Sequence, residues 1–243
     1  MTLEIIPVKI EKEIEPNIDI IDLVLESTVI NDYDILIFSQ KIISKNEGRI
    51  VDLSSINPSL LATGIASSYT KDPRLIELIL SESKRIVRMQ DGIIIVESNH
   101  GFVCANAGID ESNVKDGYVT MLPEDPDQSA DKLKKQIEQR TGKNTAVIIS
   151  DTFGRPFRLG QANIAIGIAG MDPIIDYKGK SDTFGKTLQV TAMAIADELC
   201  SASELVMGKV LNCPVAIVRN FKFDFSDTKI QKIIRPKNED LFR

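Results

Sequence analysis

The sequence contains no tryptophan and a single histidine, His100, in 243 residues. His100 lies in the polar run Ser98-Asn99-His100-Gly101, which predicts a solvated turn residue. A Ser/His/Asp or Cys/His mechanism therefore has almost no raw material. Cysteine is also scarce. Cys104, Cys200 and Cys213 are odd in number, far apart and outside any CxxC or Cys/His spacing, so they read as reduced, half-buried small hydrophobes and not as metal ligands. Long apolar runs are missing: none approaches the roughly 18 residues that a membrane span needs, and Met1-Thr2-Leu3-Glu4 opens no basic or apolar leader. These absences predict a cytoplasmic protein with no membrane partner.

The net charge of −6 gives no general attraction to nucleic acid or to an anionic membrane surface. With no tryptophan and no aromatic residues interleaved with a basic stripe, a nucleic-acid-binding function ranks last. An anionic substrate would need a local cationic pocket.

What is present is a mixture of short β-branched runs and amphipathic stretches. Strands are predicted at Leu3 to Val8, Ile35 to Phe38, Ile93 to Val96, Ala146 to Ile149, Ile164 to Ile168 and Val215 to Val218. Helices are predicted at Ile18 to Thr28, at Pro73 to Lys84 behind an Asp72 N-cap, and at about Gln128 to Arg140 ended by Gly142. The longest helix is expected over Thr187 to Met207, with Gly208 as a left-handed stop; its Asp197-Glu198 pair reads as a solvated edge. Phe221 to Arg243 reads as a final amphipathic segment docked on the body. With no clean βαβ rhythm, repeat or linker, the expected fold is α+β: one domain over residues 1–243, or two interlocked subdomains whose boundary the sequence does not give.

Three segments carry possible chemistry. In Asn106-Ala107-Gly108-Ile109-Asp110-Glu111-Ser112-Asn113, Gly108 permits a tight turn that offers Asp110 and Asn113 as hard oxygen donors. In Ser150-Asp151-Thr152-Phe153-Gly154-Arg155-Pro156-Phe157-Arg158, Asp151 and Thr152 should sit at a strand's carboxyl end, with Arg155 and Arg158 in the loop beyond. An Asp beside a Thr hydroxyl suits Mg²⁺ held jointly with nucleotide phosphates. In Ser39-Gln40-Lys41 through Lys45 to Arg49, the three cations are four apart and would share one helical face. Nothing matches a Walker P-loop or a G-x-G-x-x-G fingerprint, so neither a P-loop nor a Rossmann nucleotide site is expected. Each acidic segment is good turn chemistry by itself, and either could be purely structural; their co-occurrence favours a site.

Taken together these segments resemble the coenzyme F-420 gamma-glutamyl ligase family. The likeness rests on Ser44-Lys45-x-Glu47-Gly48-Arg49, Asn106-Ala107-Gly108-Ile109-Asp110-x-Ser112-Asn113, Asp151-Thr152-Phe153-Gly154-Arg155-Pro156, Ala165-Ile166-Gly167 and the closing Arg235-Pro236-Lys237-x-Glu239-Asp240-Leu241-Phe242-Arg243. Any one is weakly specific; five in order are strongly so. The resemblance implies an acid–amino-acid ligase that adds L-glutamate to the lactyl carboxylate of a deazaflavin coenzyme precursor, driven by GTP through an acyl phosphate. It implies two intertwined subdomains and a homodimer. By the same likeness Asp110 and Asp151 would bind one Mg²⁺ or Mn²⁺ ion, Thr152 a second, and Arg155 would act catalytically. Gln40, Lys41, Lys45, Asn113, Gly208 and Lys209 would contact the nucleotide. The chain departs from the pattern at Lys9 to Lys12, where a Gly-Leu-Pro turn is common, at Asn163, often Asp, and at Lys209, often acidic or amide, where the lysine could replace a cation's charge. A same-fold ligase for another acyl and amino-acid pair, or a non-catalytic nucleotide-binding paralogue, is the alternative.

Overall fold

The computed structural model describes residues 2–240. In chain order the strands are β1 (Glu4–Val8), β2 (Ile35–Ser39), β3 (Ile50–Asp52), β4 (Ser83–Gln90), β5 (Ile93–Ser98), β6 (Val103–Ala105), β7 (Tyr118–Thr120), β8 (Ala146–Arg155), β9 (Arg158–Ala169), β10 (Ile175–Asp176), β11 (Ala192–Met193) and β12 (Val215–Arg219). The helices are α1 (Ile20–Ser27), α2 (Gln40–Asn46), α3 (Leu60–Tyr69), α4 (Pro73–Ser81), α5 (Pro126–Thr141) and α6 (Ile195–Met207). The architecture is α+β, as the sequence predicts.

Helix starts follow local chemistry. Asp19, Ser59, Asp72 and Asp125 each accept a backbone N–H in the first turn of α1, α3, α4 and α5, and Pro73 and Pro126 sit where a missing N–H costs nothing. Gly142, at φ 68°, closes α5 in the left-handed conformation.

The central sheet has the order β1-β12-β2-β8-β9, in which only β2 and β8 run parallel. Ile35, Leu36, Ile37 and Phe38 of β2 and Ala146 to Ile149 of β8 are wholly buried, which explains their unbroken apolar runs. Helices α5 and α6 both pack on β9. Gly167 on β9 has its would-be Cβ 2.5 Å from the Pro126 carbonyl carbon, so only glycine lets α5 approach this closely. A second buried cluster, including Leu53, Ile65, Ile76, Ile79, Ile94 and Val96, joins α3 and α4 to the antiparallel sheet β4-β5-β6.

Four expectations change. The helix predicted from Thr187 starts only at Ile195. The preceding residues form a β-arm in which Tyr177 N–H donates to Thr191 O and β10 pairs with β11, so the apolar spacing of Leu188 and Ala192 is coincidental. Gly208 does end α6 at positive φ, 57°, but its ψ of 175° takes it out of the left-handed helical region. Asp197 is not a solvated edge: it is half-buried and accepts the Ala165 N–H at 2.9 Å, while its neighbour Glu198 is exposed. His100 is not free in solvent; its Nε2 lies 2.9 Å from Pro123 O, and its ring stacks on Phe102. The C-terminal segment does dock, through the buried Ile230, whose N–H reaches the Asp127 carboxylate at 3.3 Å. Leu241, Phe242 and Arg243 of the closing motif lie outside the described residues.

Candidate active site

The site forms where the parallel pair ends. Ser39 of β2 stands opposite Ser150 of β8, so the residues that follow, Lys41 in the first turn of α2 and Asp151 within β8, emerge where the parallel pairing of the two strands ends. Ligand sites in such sheets favour this position.

Asp110 arrives from the other cluster. It bridges to Thr120 through paired backbone bonds of 3.0 and 2.9 Å. That ladder is anchored by Gln40, whose buried amide donates to Met121 O at 3.1 Å and to Ser44 Oγ at 2.5 Å. Gln40 therefore positions the Asp110 ladder, and its amide N–H groups are turned inward instead of offered to a ligand. Lys41 Nζ lies 2.6 Å from Asp110 Oδ2 and 2.6 Å from Ser112 Oγ, and Ser112 N–H donates to Asp110 Oδ1 at 2.8 Å. Partial burial opposes the charge on Asp110, but the Lys41 and Ser112 bonds outweigh it and hold the carboxyl below its ordinary range.

Asn106, Ala107 and Gly108, the turn that delivers Asp110, all have positive φ, at 52°, 56° and 74°. Such strain persists only where the surroundings enforce it. At Gly108 an added Cβ would stand 2.8 Å from the side chain of Leu122, which is 1 % exposed. Gly108→Ala is expected to lower stability by about 2–4 kcal/mol, combining left-handed strain with overpacking. Urea unfolding checks this, and a loss below about 1 kcal/mol would show that the turn relaxes around the methyl group.

β8 does not stop at Ile149. It runs on to Arg155 and folds back as β9, so Asp151 and Thr152 lie within a hairpin and not in a loop after the strand. Successive side chains on a strand point to opposite faces. Thr152 joins Asn163, its cross-strand partner, with Oγ1 donating to Asn163 Oδ1 at 2.7 Å. Asp151 turns toward Asp110 and the buried Cys104, whose thiol is pushed up to about 12 by burial and then by Asp151. Withdrawal from water pushes the Asp151 carboxyl up to about 6; the Thr152 amide opposes this, the charge of Asp110 adds to it, and Lys209 and Lys41 oppose it from further away.

Lys209, just beyond α6, completes the arrangement: its Nζ lies 2.7 Å from Thr152 Oγ1, 3.0 Å from Glu204 Oε1 and 3.4 Å from Asn163 Oδ1. Glu204 is not among the site residues expected from sequence, and Asn163 stands there only as a departure from the family pattern; the Arg155-Pro156-Phe157-Arg158 turn, read as a hairpin, pairs Thr152 with Asn163.

Other predicted residues fall elsewhere. Arg49 lies beyond the end of α2 and binds Glu82 at 3.1 Å and Leu122 O at 2.9 Å, so it shares no face with Lys41 and Lys45. Lys45 is largely covered, 3.8 Å from Glu13. Arg155 stands four strand residues, about 13 Å, from Asp151; it is exposed, and its guanidinium donates to Leu159 O at 2.6 Å. Asn113 is exposed at φ 57°.

No cluster of three or more His, Cys, Asp or Glu side chains suited to a metal occurs among the described residues. The donor chemistry still fits a hard cation shared with a ligand: Asp110 and Asp151 repel one another, and both are oxygen donors of the kind Mg²⁺ takes from a protein when phosphates supply the rest. Among the described residues no helix is long and apolar enough to cross a membrane.

The family model described as F420-0:Gamma-glutamyl ligase matches residues 9–220. The protein named coenzyme F420:L-glutamate ligase in Methanothermobacter thermautotrophicus is 48% identical over 215 residues, 87% of this chain and 85% of its own. Its namesake in Methanocaldococcus jannaschii is 47% identical over 88% of this chain and 86% of its own. The one in Methanopyrus kandleri is 42% identical over 100% of this chain and 98% of its own. A match that begins just past β1 and runs through β12, the last strand in chain order, with Lys41, Asp110, Asp151 and Lys209 inside it, means that this chain belongs to the F420-0:gamma-glutamyl ligase family.

Proposed function

We propose that this protein joins L-glutamate to the lactyl carboxylate of the deazaflavin coenzyme precursor, and then adds γ-linked glutamate, with GTP driving the reaction. The observation that carries the reading is the meeting of two carboxylates, Asp110 and Asp151, with the Lys41 ammonium where the parallel pairing of β2 and β8 ends, and of Lys209 with Thr152 on the other face of β8. Such a group of opposite charges matches a triphosphate that arrives with a divalent cation. Relatives named for ligation of L-glutamate to the coenzyme support the choice of substrates.

A free carboxylate is too poor an electrophile for an amine. In the proposed reaction a carboxylate oxygen of the precursor attacks the γ-phosphorus, GDP leaves, and the amine of glutamate then displaces phosphate from the acyl phosphate. The protein contributes position and charge. Lys41 and Lys209 neutralise phosphate oxygens, the Gln40-anchored ladder holds Asp110, and β8 holds Asp151. Asp110 and Asp151 would hold Mg²⁺ or Mn²⁺, which would supply neutralisation of phosphate charge. No side chain need become covalently modified, in keeping with one histidine and with Cys104 and Cys200, whose thiols burial pushes up to about 12.

A homodimer is part of the proposal. Phe157 and Leu159, at the tip of the β8–β9 hairpin, are 88% and 97% exposed, an apolar surface that a second copy would cover.

The test is incubation with the glutamate-free deazaflavin precursor, L-glutamate, Mn²⁺ and either GTP or ATP, followed by mass spectrometry. Products heavier by glutamyl units are expected with GTP. Equal product with ATP would overturn the nucleotide assignment, and GTP binding without product would overturn the ligase reading.

A further inference from the structure

The polar cluster on the far face of β8 has a composition of its own. Three oxygen atoms from three elements converge on one point: Thr152 Oγ1 from β8, Asn163 Oδ1 from β9 and Glu204 Oε1 from α6. Each is within reach of a small cation. Asn163 is 5 % exposed and fixed on both sides, since its Oδ1 accepts from Thr152 while its Nδ2 donates to Glu204 Oε2 at 2.8 Å. Ser201 Oγ donates to Asn163 O at 2.8 Å and ties the same strand to α6. The donors are therefore held in place by the fold and not by the ligand.

The point where they converge is filled by the ammonium of Lys209, whose side chain reaches in from an otherwise exposed position. Charge balances without a divalent ion: one carboxylate, Glu204, faces one ammonium, and the other two donors are neutral. An ion of charge +2 entering here would have to displace Lys209 or share the cluster with it, and like charges at this separation repel strongly.

We propose that Lys209 is a built-in cation of the active site, that it replaces a second divalent ion, and that this chain therefore binds one divalent ion per protomer. The inference rests on the metal-dependent reading above. It assigns to Lys209 a fixed electrostatic role, a positive charge held on the face of β8 opposite Asp151 whether or not an ion is bound.

The experiment counts Mn²⁺ bound to the intact protein by electron paramagnetic resonance, in the presence of a non-hydrolysable GTP analogue. One ion per chain is expected for the natural protein, two for Lys209→Ala, and one for Lys209→Arg, which keeps the charge. The exposed stem of Lys209 makes each variant compatible with folding, and circular dichroism confirms it. Two ions in the natural protein, or one in Lys209→Ala, would overturn the inference while leaving the metal-dependent ligase intact. No bound Mn²⁺ in any of the three would overturn both.

Discussion

Asp151→Asn is expected to slow glutamate addition by about 10³-fold and, at the same time, to make the metal-free protein more stable above pH 6. The first effect follows from charge. In the proposed reaction, losing the carboxylate that would hold a cation against a triphosphate removes several kcal/mol of transition-state stabilisation, and about 1.4 kcal/mol corresponds to tenfold in rate. The second follows from burial. The Asp151 carboxyl rises from an ordinary 3.8 to about 6 because withdrawal from water disfavours its charged form. The folded protein thus holds this proton more tightly than the unfolded chain does. Stability from this group is fully present below the unfolded value, near 3.8, and is lost as pH rises through about 6. Above that pH the ionised side chain costs on the order of 2–3 kcal/mol, which the neutral amide avoids. Urea unfolding at pH 5 and pH 8 without metal, beside an activity assay, checks both halves. A variant that is less stable at pH 8, or that keeps a tenth of the activity, would contradict the role given to Asp151.

The largest purely structural effect is expected at Arg219→Leu, a loss of about 3–5 kcal/mol. Asp34, the residue before β2, the middle strand of the central sheet, is wholly buried. Its carboxylate accepts from Arg219 Nε at 2.9 Å, from Arg219 Nη2 at 2.7 Å and from the Asn31 N–H at 2.7 Å. Removing the guanidinium leaves a buried charge with one amide for company. Because the cost comes from the stranded carboxylate, the double variant Asp34→Leu/Arg219→Leu should recover most of it. A double variant as unstable as the single would place the effect in lost packing of the Arg219 stem instead.

Much of the framework was legible from local chemistry. Strands β2, β8 and β12 announce themselves as unbroken apolar runs because both their faces are buried, α4 announces itself through its Asp72-Pro73 start and α5 through its Gly142 stop. Legibility failed where a pattern has two readings. Leu188 and Ala192 fit helical spacing, yet the stretch pairs as a β-arm, since backbone bonds to Tyr177 and Gly179 compete with helix formation. Lys41, Lys45 and Arg49 fit one helical face, yet α2 stops at Asn46, and Gly48 at φ 71° turns Arg49 toward Glu82.

The sequence by itself determined the α+β class, the buried runs, the helix caps and, through five ordered motifs, the family. Each of these depends on residues adjacent in the chain or on their order. Only the tertiary structure decided which polar atoms meet. Lys41 finds Ser112 across 71 positions and Lys209 finds Thr152 across 57, and no local spacing encodes either contact. The physical reason is the parallel register of β2 and β8: it sets Ser39 opposite Ser150 and so brings Lys41 beside Asp151. The hairpin that continues β8 then turns Asp151 and Thr152 to opposite faces, so one strand serves a carboxylate pair on one side and an ammonium-filled oxygen cluster on the other.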